Sequence, residues 1–276
     1  MSESERKNGI LYIAFGGPWI EEAKRSIRSL RRASALPAAV ITDAPWRGPD
    51  TPDLFIEHRC IPGFASKPKL IPLSPFENTL FLDTDTYIAG DPGPAFGLLN
   101  HYDLGVHFFG PMLKLGPDLQ YHPQCNSGVI LFKANAASVE VFRRWEEEYE
   151  QGVRSSASAD PRGLNDQRYL AIAIARSSAR AVHLDSYLNF TLWDFQVTWS
   201  PPTILHGRLA RMDRVAAEIR RQWNPNRDCH PRLWLPNIRG LLPAGVRRSD
   251  PLLAAALLMR RAWNDLRRLG RSRCRR

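Results

Sequence analysis

The chain has 276 residues, 43% hydrophobic and 24% charged, with a formal net charge of +10. That length and balance suit a soluble globular protein with one large α/β domain or two small ones, and leave room for a sizeable core. From Gly207 to Arg276 there are eighteen Arg, no Lys and five acidic residues, a net of +13, which leaves −3 for residues 1–206. A nearly neutral body with a basic end argues against nucleic acid as the default partner and points to an anionic surface, a membrane leaflet or an acidic partner, met by one end of the molecule.

In chain order, Gly9 to Phe15 is an apolar run of strand length closed by Gly16, Gly17 and Pro18. Ile20, Ala23, Ile27 and Leu30 then recur at helical spacing, with Glu21 and Glu22 placed in the first turn and Arg31 and Arg32 in the last, as the helix dipole favours. Residues 38–43 form a second buried-type strand ending in Asp43, so the opening reads as a βαβ unit with parallel strands. Leu54 to Cys60 is a third strand, and Thr79 to Leu82 a fourth that runs into Asp83-Thr84-Asp85. Leu104 to Phe109 and Gly128 to Phe132 are further strands. Val139, Phe142, Glu146 and Tyr149 lie along one helix, and Leu164 to Arg176 forms another, opened by Asn165 or a nearby cap. Late strands fall at residues 181–184 and 203–206; after Gly207, Pro225, Pro231, Pro236 and Pro243 interrupt the pattern, and only Leu252 to Leu269 recovers helical character.

The cysteines Cys60, Cys125, Cys229 and Cys274 lack the CxxC spacing of a zinc or redox motif and read as reduced thiols. Met1 to Asn8 carries no apolar leader and no eighteen apolar residues run together, which places the expected protein in the cytoplasm.

A carboxylate pair at the C-terminal end of a buried strand sits where ligands bind in open α/β sheets. Asp83 and Asp85 alternate with Thr84, so in extended geometry they point to one side and can share a divalent cation that neutralises a diphosphate. Taken alone, an Asp-x-Asp is more often a solvated turn after a strand.

Residues 79–87, TLFLDTDTY, resemble the metal-binding segment of GT-A-fold glycosyltransferases. The chain is most similar to bacterial glycosyltransferases related to family eight, the group that includes glycogenin and lipooligosaccharide galactosyltransferases. Four further blocks follow in order across roughly residues 9–208: the first strand with its glycines, Asn126-Ser127-Gly128, Asn165-Asp166-Gln167, and His206-Gly207. The resemblance implies a three-layer α/β/α domain on a mixed, mostly parallel sheet, spanning residues 1–208, with residues 209–276 as a basic extension. It implies transfer of a sugar from a nucleotide diphosphate sugar, a UDP-sugar first, to the hydroxyl of an unknown glycan, lipid or protein acceptor. In such enzymes the metal is held by positions matching Asp83, Asp85 and His206, a donor set that suits manganese, with magnesium as the alternative. Ala14, Phe15, Gly16 and Asp43 would meet the nucleoside, and Lys67, with Lys69 as second choice, the donor beside the aspartates. Thr84, Asn126, Ser127 and Asn165 belong to the same donor site.

Asp166 would bind donor-sugar hydroxyls and Gln167 would present its amide to the anomeric carbon. An amide is a poor nucleophile, so retention through front-face attack, with the leaving phosphate taking the proton, is favoured over a covalent intermediate. The family's fuller pattern separates its late His and Gly by two residues and adds a Lys; here Gly207 follows His206 directly, and Arg208 or Arg211 stands in for the Lys. The rivals are a silent nucleotide-sugar-binding or scaffold module and a sugar nucleotidyltransferase. The latter lacks its Gly-rich phosphate loop here. Residues 247–276 contain a basic amphipathic segment with Trp263 that suits either an anionic membrane surface or packing on the enzyme itself.

Overall fold

The computed structural model describes residues 7–59, 63–113, 122–156, 165–208, 211–222, 232–236 and 240–243. The 252–269 helix and its membrane role lie outside the described residues, as do Cys60, Cys229 and Cys274. Two compact units are present: residues 1–190 with 202–210, and residues 191–201 with 211–276.

The first unit is built on a seven-stranded sheet of order β3-β2-β1-β4-β7-β6-β8. Its strands are β1 (Asn8–Ile13), β2 (Ala38–Thr42), β3 (Leu54–Glu57), β4 (Asn78–Leu82), β6 (Leu104–Leu113), β7 (His122–Lys133) and β8 (Ala181–His183). Strands β1 to β4 run parallel and β6 runs parallel to β8, while β7 is antiparallel to both its neighbours. This is the expected mixed, mostly parallel sheet. β1 reads as an unbroken apolar run because both of its faces are covered. Ile10 and Tyr12 enter one core with Ile20, Ala23, Ile27 and Leu30 of α1 (Gly17–Ala33). Leu11 enters the opposite core with Val141, Phe142 and Trp145 of α3 (Ala136–Ser155) and Leu170 of α4 (Gln167–Ala175).

Several boundaries shift for local reasons. α1 begins at Gly17, after Gly16 at φ 79° and with Pro18 in its first turn, so Glu21 and Glu22 fall in the second turn rather than the first. α3 starts earlier than its apolar spacing suggested, because Asn135 and Ser138 close a reciprocal cap in which Ser138 N donates to Asn135 Oδ1 at 3.0 Å. Its buried stripe is Val141, Phe142, Trp145 and Tyr149; Val139 faces outward. The short α2 (Ser66–Leu70) and β5 (Thr86–Ile88) had no clear periodicity to announce them. β5 pairs antiparallel with β11 (Ile204–His206), in a small sheet completed by β9 (Phe190–Thr191).

The second unit holds β10 (Gln196–Thr198), α5 (Met212–Gln222), β12 (Arg232–Leu235) and β13 (Gly240–Pro243), with the strands in the antiparallel order β10-β12-β13.

Asp103 fastens three elements of the first unit together. Its Oδ1 accepts from Asn135 Nδ2 at 2.9 Å, and its Oδ2 accepts from Arg180 N at 2.9 Å and Arg180 Nε at 3.2 Å. These bonds join the start of β6, the cap of α3 and the entry to β8. The backbone bond from Arg180, helped by the Arg180 guanidinium and Asn135 and opposed by burial, holds the Asp103 carboxyl below its usual range. A group with a depressed folded-state pKa contributes stability above its unfolded value and loses it as pH falls through the folded one. Asp103→Asn should therefore cost about 1–3 kcal/mol near pH 7. The gap in melting temperature from wild type should close below about pH 4, and thermal melts across pH would reveal a gap that stays constant instead.

Candidate metal centre

The chain leaves β4 at Leu82 and turns at once. Thr86 N donates to Asp83 O at 3.2 Å, so Asp83 to Thr86 is a turn rather than the extended segment that alternation implied. The two carboxylates still converge, because the turn is held from two sides. From α1, three residues at helical spacing reach three alternate positions: Thr84 Oγ1 donates to Glu22 Oε2 at 2.9 Å, Ser26 Oγ lies 2.9 Å from Thr86 Oγ1, and Ile88 N donates to Ser29 Oγ at 2.8 Å. From the other side, β11 pairs with β5 so that His206 lies opposite Thr86, and Gly207 N donates to Asp85 O at 2.9 Å. Gly207 has φ 141°, a conformation that favours glycine and lets the backbone close back on Asp85.

The result brings His206 Nε2 within 3.4 Å of Asp85 Oδ1 and 4.0 Å of Asp83 Oδ2. One ligand atom from each of Asp83, Asp85 and His206 lies within 4.8 Å of the others. The imidazole is oriented from behind: its Nδ1 is 2.9 Å from Asn189 Oδ1, and Asn189 Nδ2 donates to Asn126 Oδ1 at 2.9 Å. Asn189 was not singled out in the sequence, where a lone Asn after an apolar pair carries no signal. With Nδ1 turned to the amide oxygen, Nε2 is the ring nitrogen that faces the carboxylates.

Gly128 explains how the ligands come so close. The β6–β7 register jumps from Val106↔Ile130 to His107↔Asn126, so Ser127 to Val129 bulge from that ladder. A Cβ on Gly128 would lie 2.1 Å from His206 Cε1 and 2.9 Å from Asp83 Oδ2. The bulge also sends Asn126 and Ser127 towards α4. Asn126 Nδ2 donates to Gln167 Oε1 at 3.4 Å and Ser127 Oγ to Asp166 Oδ1 at 3.2 Å, while Trp145 Nε1 fixes the Asp166 carbonyl at 3.1 Å. Asn165 is exposed, and its Oδ1 accepts from Gln167 N at 2.9 Å at the head of the helix.

Charge is concentrated here. Lys67 Nζ is 2.8 Å from Asp83 Oδ2, 3.8 Å from Asp166 Oδ2 and 3.4 Å from Ser127 Oγ. Burial acts to lower the Lys67 pKa, but Asp83, Asp166 and Asp85 together hold it above the usual lysine value. Burial is also the largest influence on Asp166, raising its carboxyl against the opposing charge of Lys67. Its Oδ2 is buried and accepts no hydrogen bond. Burial likewise works to raise Asp85, yet the His206 bond, with the charges of Arg208 and Lys67, brings it below the ordinary range. Arg208 NH1 is 3.3 Å from Asp85 Oδ2; its Nε is 2.8 Å from Glu22 Oε1, and the guanidinium lies 4.8 Å from the centre of the Trp19 ring. Four carboxylates, Glu22, Asp83, Asp85 and Asp166, thus face two cationic side chains. The formal deficit equals one divalent cation, and two carboxylates with an imidazole form a donor set that such an ion accepts.

The remaining expected residues are placed as follows. Ala14 is buried at the end of β1, Phe15 packs its ring into the core with Leu11 and Ile41, and Gly16 N donates to Asp43 Oδ1 at 3.4 Å. Thr84 turns its hydroxyl to Glu22 rather than towards His206. Lys69 pairs with Glu146 and Glu150 on α3. Cys125 is a buried free thiol, its pKa pushed up by burial.

No protein-family model matches the chain, and no curated protein matches it in sequence. Solved structures do match in shape. The glycosyltransferase GlyE of Streptococcus pneumoniae TIGR4 aligns over 77% of this chain at 17% identity and a TM-score of 0.50; the chain spans 60% of GlyE's length. The galactosyltransferase LgtC, solved with donor and acceptor sugar analogs, aligns over 77% of this chain and 93% of its own at 13% identity and a TM-score of 0.53. A glutamine-to-glutamate active-site mutant of LgtC aligns over 79% of this chain and 97% of its own, at 13% identity and a TM-score of 0.52. The chain therefore has the GT-A glycosyltransferase fold that LgtC and GlyE share.

Proposed function

We propose that the chain is a metal-dependent glycosyltransferase that moves a sugar from a nucleoside diphosphate sugar, a UDP-sugar first, to an acceptor hydroxyl. The observation that carries this reading is the Asp83, Asp85 and His206 cluster at the carboxyl edge of the sheet, with the buried Asp166 Oδ2, which accepts no hydrogen bond, beside it. The fold shared with LgtC and GlyE supports the reaction class. Residues 1–208 are assigned as its catalytic domain.

Asp83, Asp85 and His206 would hold the cation, manganese or magnesium, which supplies charge neutralisation for the donor diphosphate. Gly16 and Asp43, bonded to each other through the Gly16 backbone, would meet the nucleoside, with Ala14 and Phe15 buried behind them as the end of the first strand. Arg208, on the outer edge of Asp85, meets phosphate oxygens, and Glu22 and Trp19 hold its guanidinium flat. Asp166 accepts a donor-sugar hydroxyl on Oδ2, which holds no hydrogen bond within the chain, and Lys67 keeps the carboxylate from bearing an isolated buried charge. Asn126, Ser127 and Asn165 complete the donor site together with Thr84, which fixes the turn. Gln167 lies against Asn126 with its amide available to the anomeric centre. In the retaining course, the acceptor oxygen bonds to the anomeric carbon on the face the phosphate leaves. The carbon–phosphate oxygen bond breaks, and the acceptor proton passes to the departing phosphate oxygen.

A panel of nucleotide sugars incubated with manganese should show one donor hydrolysed or transferred by the wild type. Asp85→Ala should lower kcat/KM for it at least about a thousandfold with an unchanged melting temperature. A wild type that neither binds nor turns over any member of the panel would overturn the reading. Asn189→Ala, which frees the His206 ring, should weaken manganese affinity about 10–100-fold, read as a smaller metal-induced rise in melting temperature. Retention of full affinity would show that Asn189 does not orient the ligand.

A further inference from the structure

In the second unit, strand β10 is turned inside out. Its polar side chains point inward, with Gln196 7% and Thr198 0% exposed, while Val197 within it and Phe195 and Trp199 on either side of it point outward, 40%, 54% and 65% exposed. Trp193, just before the strand, is 49% exposed. The arrangement is locked. Gln196 Nε2 donates to Thr191 Oγ1 at 2.5 Å, Thr198 Oγ1 to Ser200 O at 2.5 Å, and Gln196 pairs with the fully buried Trp234 of β12, whose Nε1 donates to Leu192 O at 3.2 Å. Slipping the register by one residue would hide the apolar row, but it would break those bonds.

A half-solvated antiparallel strand ordinarily shows its polar residues to water. Four large apolar side chains within residues 193–199, in and beside a strand at the edge of its sheet among the described residues, are not the scattered exposure common on soluble surfaces. The charge of the same unit indicates what meets them. Residues 191–201 and 211–276 carry seventeen Arg and no Lys against six acidic residues, a net of +11, which leaves −1 for the rest of the chain. Tryptophan beside phenylalanine in a unit rich in arginine matches the boundary layer of a bilayer, where indole rings sit at headgroup depth and cations meet lipid phosphates. A protein partner would need an acidic surface of comparable excess charge; an anionic leaflet offers one at any orientation.

We propose that the face formed by Trp193, Phe195, Val197 and Trp199 inserts shallowly into an anionic lipid surface, with arginines of the same unit meeting the headgroups. This inference is independent of the sugar-transfer reading. It concerns residues other than the 247–276 segment, and needs no membrane-crossing helix; none of the described helices is long and apolar enough to cross a bilayer.

The test uses the full chain and vesicles of phosphatidylglycerol mixed with phosphatidylcholine, or of phosphatidylcholine alone. The wild type should co-sediment with the anionic vesicles, less so as salt rises, and only weakly with the neutral ones. A Phe195→Ser, Trp199→Ser double variant should bind the anionic vesicles at least about tenfold less, with the wild-type melting temperature. A second measurement stands whatever the stability of that variant: acyl-brominated lipid should quench part of the tryptophan fluorescence, and Trp199→Phe should remove most of that part. Failure of the wild type to sediment with anionic vesicles overturns the proposal. So does undiminished binding by a folded double variant, or quenching unchanged in Trp199→Phe. A wild-type dimer that the double variant dissolves, in a chain that ignores lipid, would assign the face to self-association instead.

Discussion

Like charge crowded into a partly buried edge is the constraint on which the first unit depends. Asp83, Asp85, Asp166 and Glu22 meet where the parallel strands end, and side chains in that position repel one another more strongly than they would in water. Lys67 and Arg208 offset part of the repulsion from opposite sides, one against Asp83 and Asp166, the other against Asp85 and Glu22. The remaining deficit is a charge that one divalent cation would balance, and the close spacing of the ligand atoms is what would let them share it. A scaffold that relaxed even slightly would let the carboxylates drift apart and lose that property.

The backbone prevents this by clamping the Asp turn on several sides. Glu22, Ser26 and Ser29 interrupt the apolar face of α1 with polar groups, and Ser26 and Ser29 are fully or almost fully buried. Such residues cost stability in a helix interior unless their bonds are satisfied. Here they are satisfied by Thr84, Thr86 and Ile88, so what the helix concedes in packing it returns as a fixed turn. The bulge in β7 has the same logic: three residues leave the β6 ladder so that Gly128 can pass under His206 and Asp83 while Asn126 and Ser127 reach α4. Irregularity is concentrated where chemistry needs close approach, and the strands behind it remain regular.

Identity of 13–17% with proteins of the same fold places this chain where sequence comparison fades but architecture persists. Folds of this kind host many specificities, so the weight of a functional argument rests on the side chains at the carboxyl edge rather than on the sheet itself. The departures are informative in that light. Gly207 directly follows His206, and the cation beyond it is Arg208, a planar fork of donors that lies over the Trp19 ring while reaching both Glu22 and Asp85.

The amino-acid sequence by itself determined the alternation of strands and helices in the first unit, because a strand buried on both faces must be apolar throughout and a helix lying on a sheet must repeat its apolar residues at helical spacing. It also singled out Asp83, Asp85, Asn126, Asp166 and His206 as one constellation, since their order matches a known pattern. Only the tertiary structure decided how they meet. The carboxylates converge through a turn, not through strand alternation, and α1 and β11 hold that turn from segments far away in the chain. Asn189 and Glu22 could not be read in advance, because an isolated asparagine or a glutamate in an early helical turn gains meaning only from what folds against it. The same is true of β10. No strand is read there from the sequence, and which face looks outward depends on Gln196, Thr198 and Trp234 finding their inner partners, a matter of packing rather than pattern.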